Sequence, residues 1–179
     1  MGAVNKVQSV LAGRTLLEHA VTKLAPQVDT LVINGDKTIC GDDAIADTLE
    51  GFKGPLAGLY SALLSDKLSS AAYLVMTPCD GPFIPDDLVA ALYREISATD
   101  ADIACVRYQG FAQPTFSLWH KSVLPLVEQA LLVKQNGGFK PLLEGLNSVY
   151  LDWPEQAISP FFNINTQDDL AEAERLLCL

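Results

Sequence analysis

Apolar residues recur along this chain at two alternating spacings. Over residues 15–25 they lie three to four positions apart, as in an amphipathic helix, on a stripe formed by Leu16, Leu17, Ala20, Val21 and Leu24. Pro26 ends that pattern, and residues 28–34 predict a strand that finishes in polar side chains. Residues 71–76 form a continuous apolar run, which is typical of a strand buried on both faces.

The same alternation continues to the end of the chain. It predicts further helices over 54–64, 85–96, 122–133 and 140–143, and a last one that begins at the capping-box pattern Thr166-x-x-Asp169. Strands are predicted over 102–108, 111–119 and 148–151. This order predicts a single domain over residues 1–179, a three-layer α/β sandwich with a mainly parallel sheet. The Gln109-Gly110 turn between two strands predicts a locally antiparallel edge.

The composition narrows the possible partners. Among the 179 residues, 49% are hydrophobic and 19% charged, which suits one well-packed core. The net charge of −10 argues against a nucleic-acid partner, because binding to a phosphate backbone needs a basic face. No apolar stretch approaches the roughly 20 residues that span a bilayer, so no membrane partner is expected.

Cysteine usage and helix patterning predict the compartment and the oligomeric state. The four cysteines are scattered, with no C-x-x-C pair, which indicates reduced thiols in a cytoplasm. No helix carries a sustained heptad or an isolated apolar face, so we expect a monomer.

Polar residues that follow predicted strands are the first candidates for chemistry. Asn34 ends the first predicted strand, and Asp80 follows the second in a loop bounded by Pro78 and Pro82. Ligands of open α/β sheets bind beyond the carboxyl ends of the strands. A carboxylate held there suits Mg²⁺, which binds through one or two carboxylates and substrate phosphates. The alternative is that Asp80 only caps a turn.

Other segments have both a structural and a functional interpretation. Gly54 and Pro55 begin a predicted helix, either to pack closely on the sheet or to let the backbone approach a nucleotide or phosphate. Asp47 follows a short apolar segment, and an aspartate at such a position is more often a turn residue than a ligand. Asn163 and Asn165 alternate on an extended segment, so both amides face one side unless each serves a turn or a helix cap.

Eight motifs run in order along essentially the whole chain. They are M-G-x-x-x-K at 1–6, G-R-T-L-L-E-H at 13–19, V-I-N at 32–34, A-D-T at 46–48, G-P-L-A-G at 54–58, P-C-D-G-P-F-I-P at 78–85, Q-P-T at 113–115 and F-F-N-I-N-T at 161–166. Together they resemble the molybdenum cofactor guanylyltransferases, which attach GMP to molybdopterin. The resemblance implies the nucleotide-diphospho-sugar transferase type of α/β fold.

The resemblance also implies roles for individual residues. Lys6 matches a lysine that contacts the phosphates of GTP, and Asp80 matches the aspartate that binds GTP and Mg²⁺. Asn34 and Asp47 match residues that bind the guanine nucleotide. The pair Asn163 and Asn165 matches asparagines placed towards the pterin substrate.

The start of the chain departs from the family pattern. In the family, a first strand and a loop of the form L-A-G-G-x-S-x-R precede M-G-x-x-x-K, whereas this sequence begins at that methionine. We therefore expect either a start upstream of Met1 or a degenerate protein without turnover. We also expect residues 1–6 to form a loop beside the cleft and the sheet to lack its central strand.

The chemistry implied by the resemblance is nucleotidyl transfer, with attack of a phosphate oxygen on the α-phosphorus of GTP. Such a reaction needs positioned charges and no protein nucleophile. Two alternatives stay open on the sequence. One is a related nucleotidyltransferase that uses CTP or another phosphate acceptor, and the other is a non-catalytic nucleotide-binding module.

Overall fold

The computed structural model describes residues 6, 8–49, 54–134 and 137–177. Strands β1 (Val10–Leu11) and β2 (Arg14–Thr15) form a small hairpin of their own. The main sheet has the order β3-β5-β4-β6. Its members are β3 (Tyr73–Met76), β4 (Ile103–Tyr108), β5 (Phe111–His120) and β6 (Ser148–Trp153).

Three of the four main strands run in one direction. Strand β4 pairs in parallel with β6, and β5 runs antiparallel to both β3 and β4. The predicted α/β class, a mainly parallel sheet with an antiparallel part, is therefore confirmed. The antiparallel strand lies inside the sheet, however, and the prediction of an antiparallel edge was wrong.

The position of β5 follows from its turn and its length. Gln109 and Gly110 have φ values of 49° and 81°, so a two-residue turn with left-handed backbone joins β4 to β5 and makes them direct neighbours. The ten residues of β5 are long enough to pair with β3 along the other side.

The helices predicted over 15–25, 54–64 and 140–143 and the one predicted to begin at Thr166 lie within two residues of the predicted bounds. The helix predicted over 85–96 begins and ends three residues later, and Lys37–Cys40 was not predicted. The α-helices are α1 (Leu16–Leu24), α2 (Lys37–Cys40), α3 (Pro55–Leu64), α4 (Leu88–Thr99), α5 (Leu124–Glu128), α6 (Lys140–Gly145) and α7 (Gln167–Leu177). Helix α1 begins with a capping box between Thr15 and Glu18. The predicted helix over 122–133 is divided into a 3-10 turn (Lys121–Val123), α5 and a π-helical segment (Gln129–Val133).

Two predictions about the early strands were wrong. Residues 28–34 do not form a strand. Their β-pairing consists of one isolated parallel bridge between Asn34 and Ile45. The main-chain bonds there join Ile45 N to Ile33 O at 2.7 Å and Gly35 N to Ile45 O at 2.9 Å. Strand β3, predicted to be buried on both faces, is the outermost strand of the described sheet, and only Leu74 in it is buried.

The core lies on both faces of the sheet. Side chains alternate along β4, so Ile103 and Cys105 join a cluster with α3, α5 and α6, whereas Ala104 and Val106 join a cluster with α4. A third, smaller cluster packs α1 against α7 and consists of Leu11, Leu16, Ile164 and Ala173. Of the segment 1–6, whose predicted form was a loop, all but Lys6 lies outside the described residues. Within the described ranges, no helix has the length and apolar character needed to cross a membrane.

Candidate active site

Asp80 lies just beyond the carboxyl end of β3, where the sheet rule predicts a ligand-binding residue. Its backbone carbonyl accepts a hydrogen bond from the N–H of Ile164 at 2.9 Å, which ties the loop after β3 to the segment before α7. Its carboxylate Oδ2 is 3.8 Å from the Nζ of Lys6. The same ammonium donates a hydrogen bond to the Oδ1 of Asn165. Three predicted site residues, Lys6, Asp80 and Asn165, are therefore in contact.

The Asp80 carboxyl is in an environment that disfavours its charge. Partial burial raises its pKa above the ordinary value, and the Lys6 ammonium acts in the opposite direction. An additional cation near this carboxylate would relieve the penalty of burial.

Asn163 and Asn165 flank the Asp80-Gly81 loop. The Asn163 Oδ1 is buried without a hydrogen-bond partner and lies beside Gly81, where a Cβ would come within 3.2 Å of it. The Asn165 N–H donates to the Oδ2 of Asp169, and its side-chain amide donates to the Asn163 carbonyl at 3.3 Å. The start of α7 therefore holds both asparagines against the loop that carries Asp80.

Asn34 and Asp47 form a second pair. The Nδ2 of Asn34 donates to the carbonyl of Ile45 at 2.9 Å and to the Oδ1 of Asp47 at 3.1 Å. Asp47 is exposed, whereas Asn34 is half-buried against α3. The carboxylate is thus accessible to a ligand while its orientation is set by a side chain from a different segment.

Gly54 and Pro55 begin α3 as predicted. Gly54 has a φ of 134°, a conformation that L side chains rarely adopt, and Pro55 occupies the first turn. No side chain caps the helix, and both residues are exposed. Amide groups at the start of this ten-residue helix can interact with an anion. Gly58, in the same segment, lies against Asn34.

A cysteine lies near each of the two groups of residues. Cys40 packs against Gly35, next to Asn34, and interacts electrostatically with Cys79, which precedes Asp80. Burial, followed by Cys40 and Asp80, raises the pKa of the Cys79 thiol to about 11. The thiol is therefore protonated at neutral pH, which agrees with a site that uses no cysteine nucleophile.

Helix α3 contributes one residue that was not predicted from the sequence, Ser61, whereas Gly58 was included in the motif G-P-L-A-G without a role of its own. Ser61 is 2% exposed and accepts a hydrogen bond from the N–H of Thr48 at 2.9 Å, next to Asp47. Its signal in the sequence was a single serine in the mainly apolar run 56–64.

One predicted metal ligand, the carboxylate of Asp80, can be compared with the structure. In the ranges that the structure describes, no group of three or more His, Cys, Asp or Glu side chains is arranged to hold a metal ion. Asp80 alone nevertheless fits Mg²⁺, which commonly takes one or two protein carboxylates and completes its coordination with phosphates and water.

Known proteins resemble this chain over nearly its whole length. The model of the MobA-like NTP transferase domain matches residues 1–149. A molybdenum cofactor guanylyltransferase of a Bradyrhizobium species is 36% identical, over 100% of this chain and 88% of that protein. Its counterpart in Vibrio cholerae is 33% identical, over 96% of this chain and 84% of that protein.

Solved structures share the fold. The molybdopterin-guanine dinucleotide biosynthesis protein A of Archaeoglobus fulgidus superposes with a TM-score of 0.78 at 25% identity, over 97% of this chain and 90% of that chain. A 2-C-methyl-D-erythritol 4-phosphate cytidylyltransferase of Thermus thermophilus gives a TM-score of 0.69 at 18% identity, over 99% and 96% of the two chains. The nucleotidyltransferase fold expected from the sequence is confirmed. The chain belongs to the MobA-like NTP transferase family.

Proposed function

We propose that this protein transfers GMP from GTP to molybdopterin and releases pyrophosphate, which yields the guanine dinucleotide form of the molybdenum cofactor. The names of its relatives support this reaction. The observation that carries the proposal is the contact of Lys6 with both Asp80 and Asn165 beyond the carboxyl end of β3. A cation, a carboxylate and a polar amide at that edge are the groups that phosphoryl chemistry needs.

Lys6 and Asp80 are the residues we assign to the phosphates. Asp80 would hold Mg²⁺, which when bound neutralises negative charge on the triphosphate. The Lys6 ammonium, 26% exposed and already beside Asp80, is placed to donate hydrogen bonds to phosphate oxygens. On a chain of net charge −10, this local positive group offsets the general repulsion of an anionic substrate.

The reaction itself is an in-line displacement. A phosphate oxygen of molybdopterin attacks the α-phosphorus of GTP and a new P–O bond forms. The bond from the α-phosphorus to the oxygen that bridges it to the β-phosphorus breaks, and that oxygen leaves with pyrophosphate. The protein positions the two substrates and stabilises charge. The protonated thiol of Cys79 takes no part in this step.

Asn34 and Asp47 are assigned to the guanine nucleotide. The carboxylate of Asp47 accepts hydrogen bonds, and guanine presents adjacent N1–H and N2–H donors, whereas cytosine has no such pair. Asn34 orients that carboxylate. Gly54 and Pro55 bring the uncapped start of α3 towards the nucleotide, and Asn163 and Asn165 are assigned to the pterin side.

We further infer a cytoplasmic protein that acts as a monomer on small molecules, without nucleic-acid or membrane partners. The acidic charge and the absence of a heptad pattern support this inference. Analytical ultracentrifugation would reveal a stable dimer, and such a dimer would contradict the monomer.

The experiment that tests the function measures transfer directly. Purified protein is incubated with Mg²⁺, molybdopterin and either GTP or CTP, and the dinucleotide product and pyrophosphate are quantified. We expect product with GTP and at least about tenfold lower kcat/KM with CTP, because cytosine leaves the Asp47 carboxylate without its donor pair. Equal use of CTP would contradict the guanine assignment. Binding of GTP without product would support a non-catalytic module instead.

A further inference from the structure

Gly58 lies in the interior of α3, where glycine is an unfavourable choice. Glycine destabilises a helix relative to alanine because its backbone has more freedom to lose on folding. The structure supplies a reason for it. A Cβ at position 58 would overlap the Oδ1 of Asn34 and lie 3.3 Å from the Asn34 Cγ. The missing side chain therefore makes room for Asn34.

The orientation of Asn34 is determined by its own hydrogen bonds. Its Nδ2 donates both to the Ile45 carbonyl and to the Asp47 carboxylate, so the amide nitrogen must face the 45–47 segment. The Oδ1 then has to point the other way, towards α3. A side chain at position 58 would push the amide out of the only orientation that satisfies both bonds.

Helix α3 holds the same segment at a second point. The Thr48 N–H donates to the Oγ of Ser61 at 2.9 Å, and that hydroxyl donates to the Ala57 carbonyl at 2.9 Å. Gly58 and Ser61 are three positions apart and therefore lie on one face of the helix. That face contacts Asn34, which bonds to Asp47, and Thr48, which follows Asp47.

From this geometry we infer that Gly58 is a positioning residue, which holds Asp47 in place for the nucleotide through the side chain of Asn34. The inference deepens the proposed function and rests on it, since it assumes that Asp47 binds the base of GTP. Gly58 itself touches neither substrate in this scheme. It acts by leaving space.

A double-mutant cycle on stability tests the contact without any substrate. In the wild-type background, Gly58→Ala should lower Tm by about 2–4 °C or more, because Asn34 or α3 has to move. In the Asn34→Ala background the obstruction is gone, and Gly58→Ala should raise Tm because alanine favours the helix. Gly145→Ala is the matched control, since a Cβ at Gly145 has no neighbour within 4 Å. Equal effects of Gly58→Ala in both backgrounds would overturn the inference.

The same cycle on GTP tests the role in binding. Gly58→Ala should raise KM for GTP and the Kd for GTP with Mg²⁺ about tenfold, with KM for molybdopterin unchanged. It should add nothing to the loss caused by Asn34→Ala alone. A general structural defect would instead raise both KM values. Unchanged GTP affinity in Gly58→Ala would overturn the inference.

The failure of the inference and the failure of the proposed function give different results. If the wild-type protein transfers no GMP and binds no GTP, the proposed function and the binding role of Gly58 both fail. The contact between Gly58 and Asn34 is still upheld if Gly58→Ala lowers Tm in the wild-type background and raises it in the Asn34→Ala background. If the wild-type protein transfers GMP and the Gly58→Ala variant matches it, only the inference fails.

Discussion

Asp80 differs from a neighbouring acidic residue in its surroundings. Its side chain is 21% exposed and faces Lys6, whereas that of Asp86, six positions later, is 80% exposed and pairs with Lys23 at 2.9 Å. Solvent screens the second pair strongly, so an ion pair of this kind contributes little. Of these two residues, Asp80 is the one whose charge can act on a bound ligand.

Replacing Asp80 with asparagine should abolish most of the transfer activity. The loss of the carboxylate removes the assigned Mg²⁺ ligand, and we expect kcat/KM to fall by about 10² or more in a steady-state assay with GTP. The fold should be retained, because Asp80 lies in a loop. Asp86→Asn is the control and should behave like wild type. Near-normal turnover of Asp80→Asn with Mg²⁺ would exclude this carboxylate as the metal ligand.

Ser61 is a second residue whose role depends on a single contact. Ser61→Ala removes the acceptor of the Thr48 N–H, which should destabilise the protein by about 0.5–1.5 kcal/mol and weaken GTP binding, because Thr48 is exposed and water can accept that hydrogen bond. Denaturant unfolding measures the first effect and titration with GTP the second. The control is Ser70→Ala in an exposed turn, for which we expect no change in either quantity. If Ser61→Ala left both quantities unchanged, the Thr48 contact would not hold Asp47 in place.

At the level of elements, the start of α7 connects folding to the site. Asp169 accepts hydrogen bonds from the N–H groups of Asn165 and Thr166 at 2.9 and 2.8 Å, and its own N–H donates to the Thr166 hydroxyl. This reciprocal cap holds Asn165, which in turn contacts Lys6. One helix terminus thus orders a residue assigned to the substrate.

Because of this cap, the thermal stability of the protein should depend on pH in the acidic range. The N–H of Asn165, followed by the hydroxyl and N–H of Thr166, lowers the pKa of the Asp169 carboxyl in the folded state. A lowered pKa means that the stabilisation is present above the unfolded-state pKa and is lost as pH falls through the folded-state value. Tm measured from pH 7 to about pH 3 should therefore fall less steeply in Asp169→Asn than in wild type. Asp168→Asn, at an exposed position, is the control. If Tm of Asp169→Asn changed with pH in the same way as Tm of wild type, the stabilising role of the Asp169 cap would be contradicted.

At the level of the whole molecule, the sheet joins the two large clusters of the core. Neighbouring residues of β4 point into opposite clusters, so neither cluster can lose its packing without disturbing the strand that the other needs. The two tryptophans report on them separately, with Trp119 in the cluster under α3 and Trp153 in the cluster under α4.

We therefore expect a single cooperative unfolding transition. Leu59→Ala in α3 and Leu92→Ala in α4 should each destabilise the protein by about 2–5 kcal/mol, since both leucines are fully buried. Single-tryptophan variants, Trp119→Phe and Trp153→Phe, allow fluorescence to follow one cluster at a time. The fluorescence midpoint of each variant should coincide with its circular dichroism midpoint. Separate midpoints would contradict the prediction of one domain.

The sequence by itself determined the features that depend on near neighbours. The stripe of α1, the capping boxes at Thr15 and Thr166, and the Gln109-Gly110 turn were predictable because they involve residues at most four positions apart. The ordered motifs, taken together, indicated the family. They also indicated which residues were candidates for the site.

Only the tertiary structure decided the features that depend on distant partners. Strand β5 lies inside the sheet and residues 28–34 lack a ladder, because pairing depends on which backbone edges meet in space. Lys6 contacts Asn165 across 159 positions of sequence, and the space left at Gly58 is meaningful only beside Asn34. Local patterns record steric and hydrogen-bonding preferences within a few residues, whereas packing between distant segments is decided when the whole chain folds.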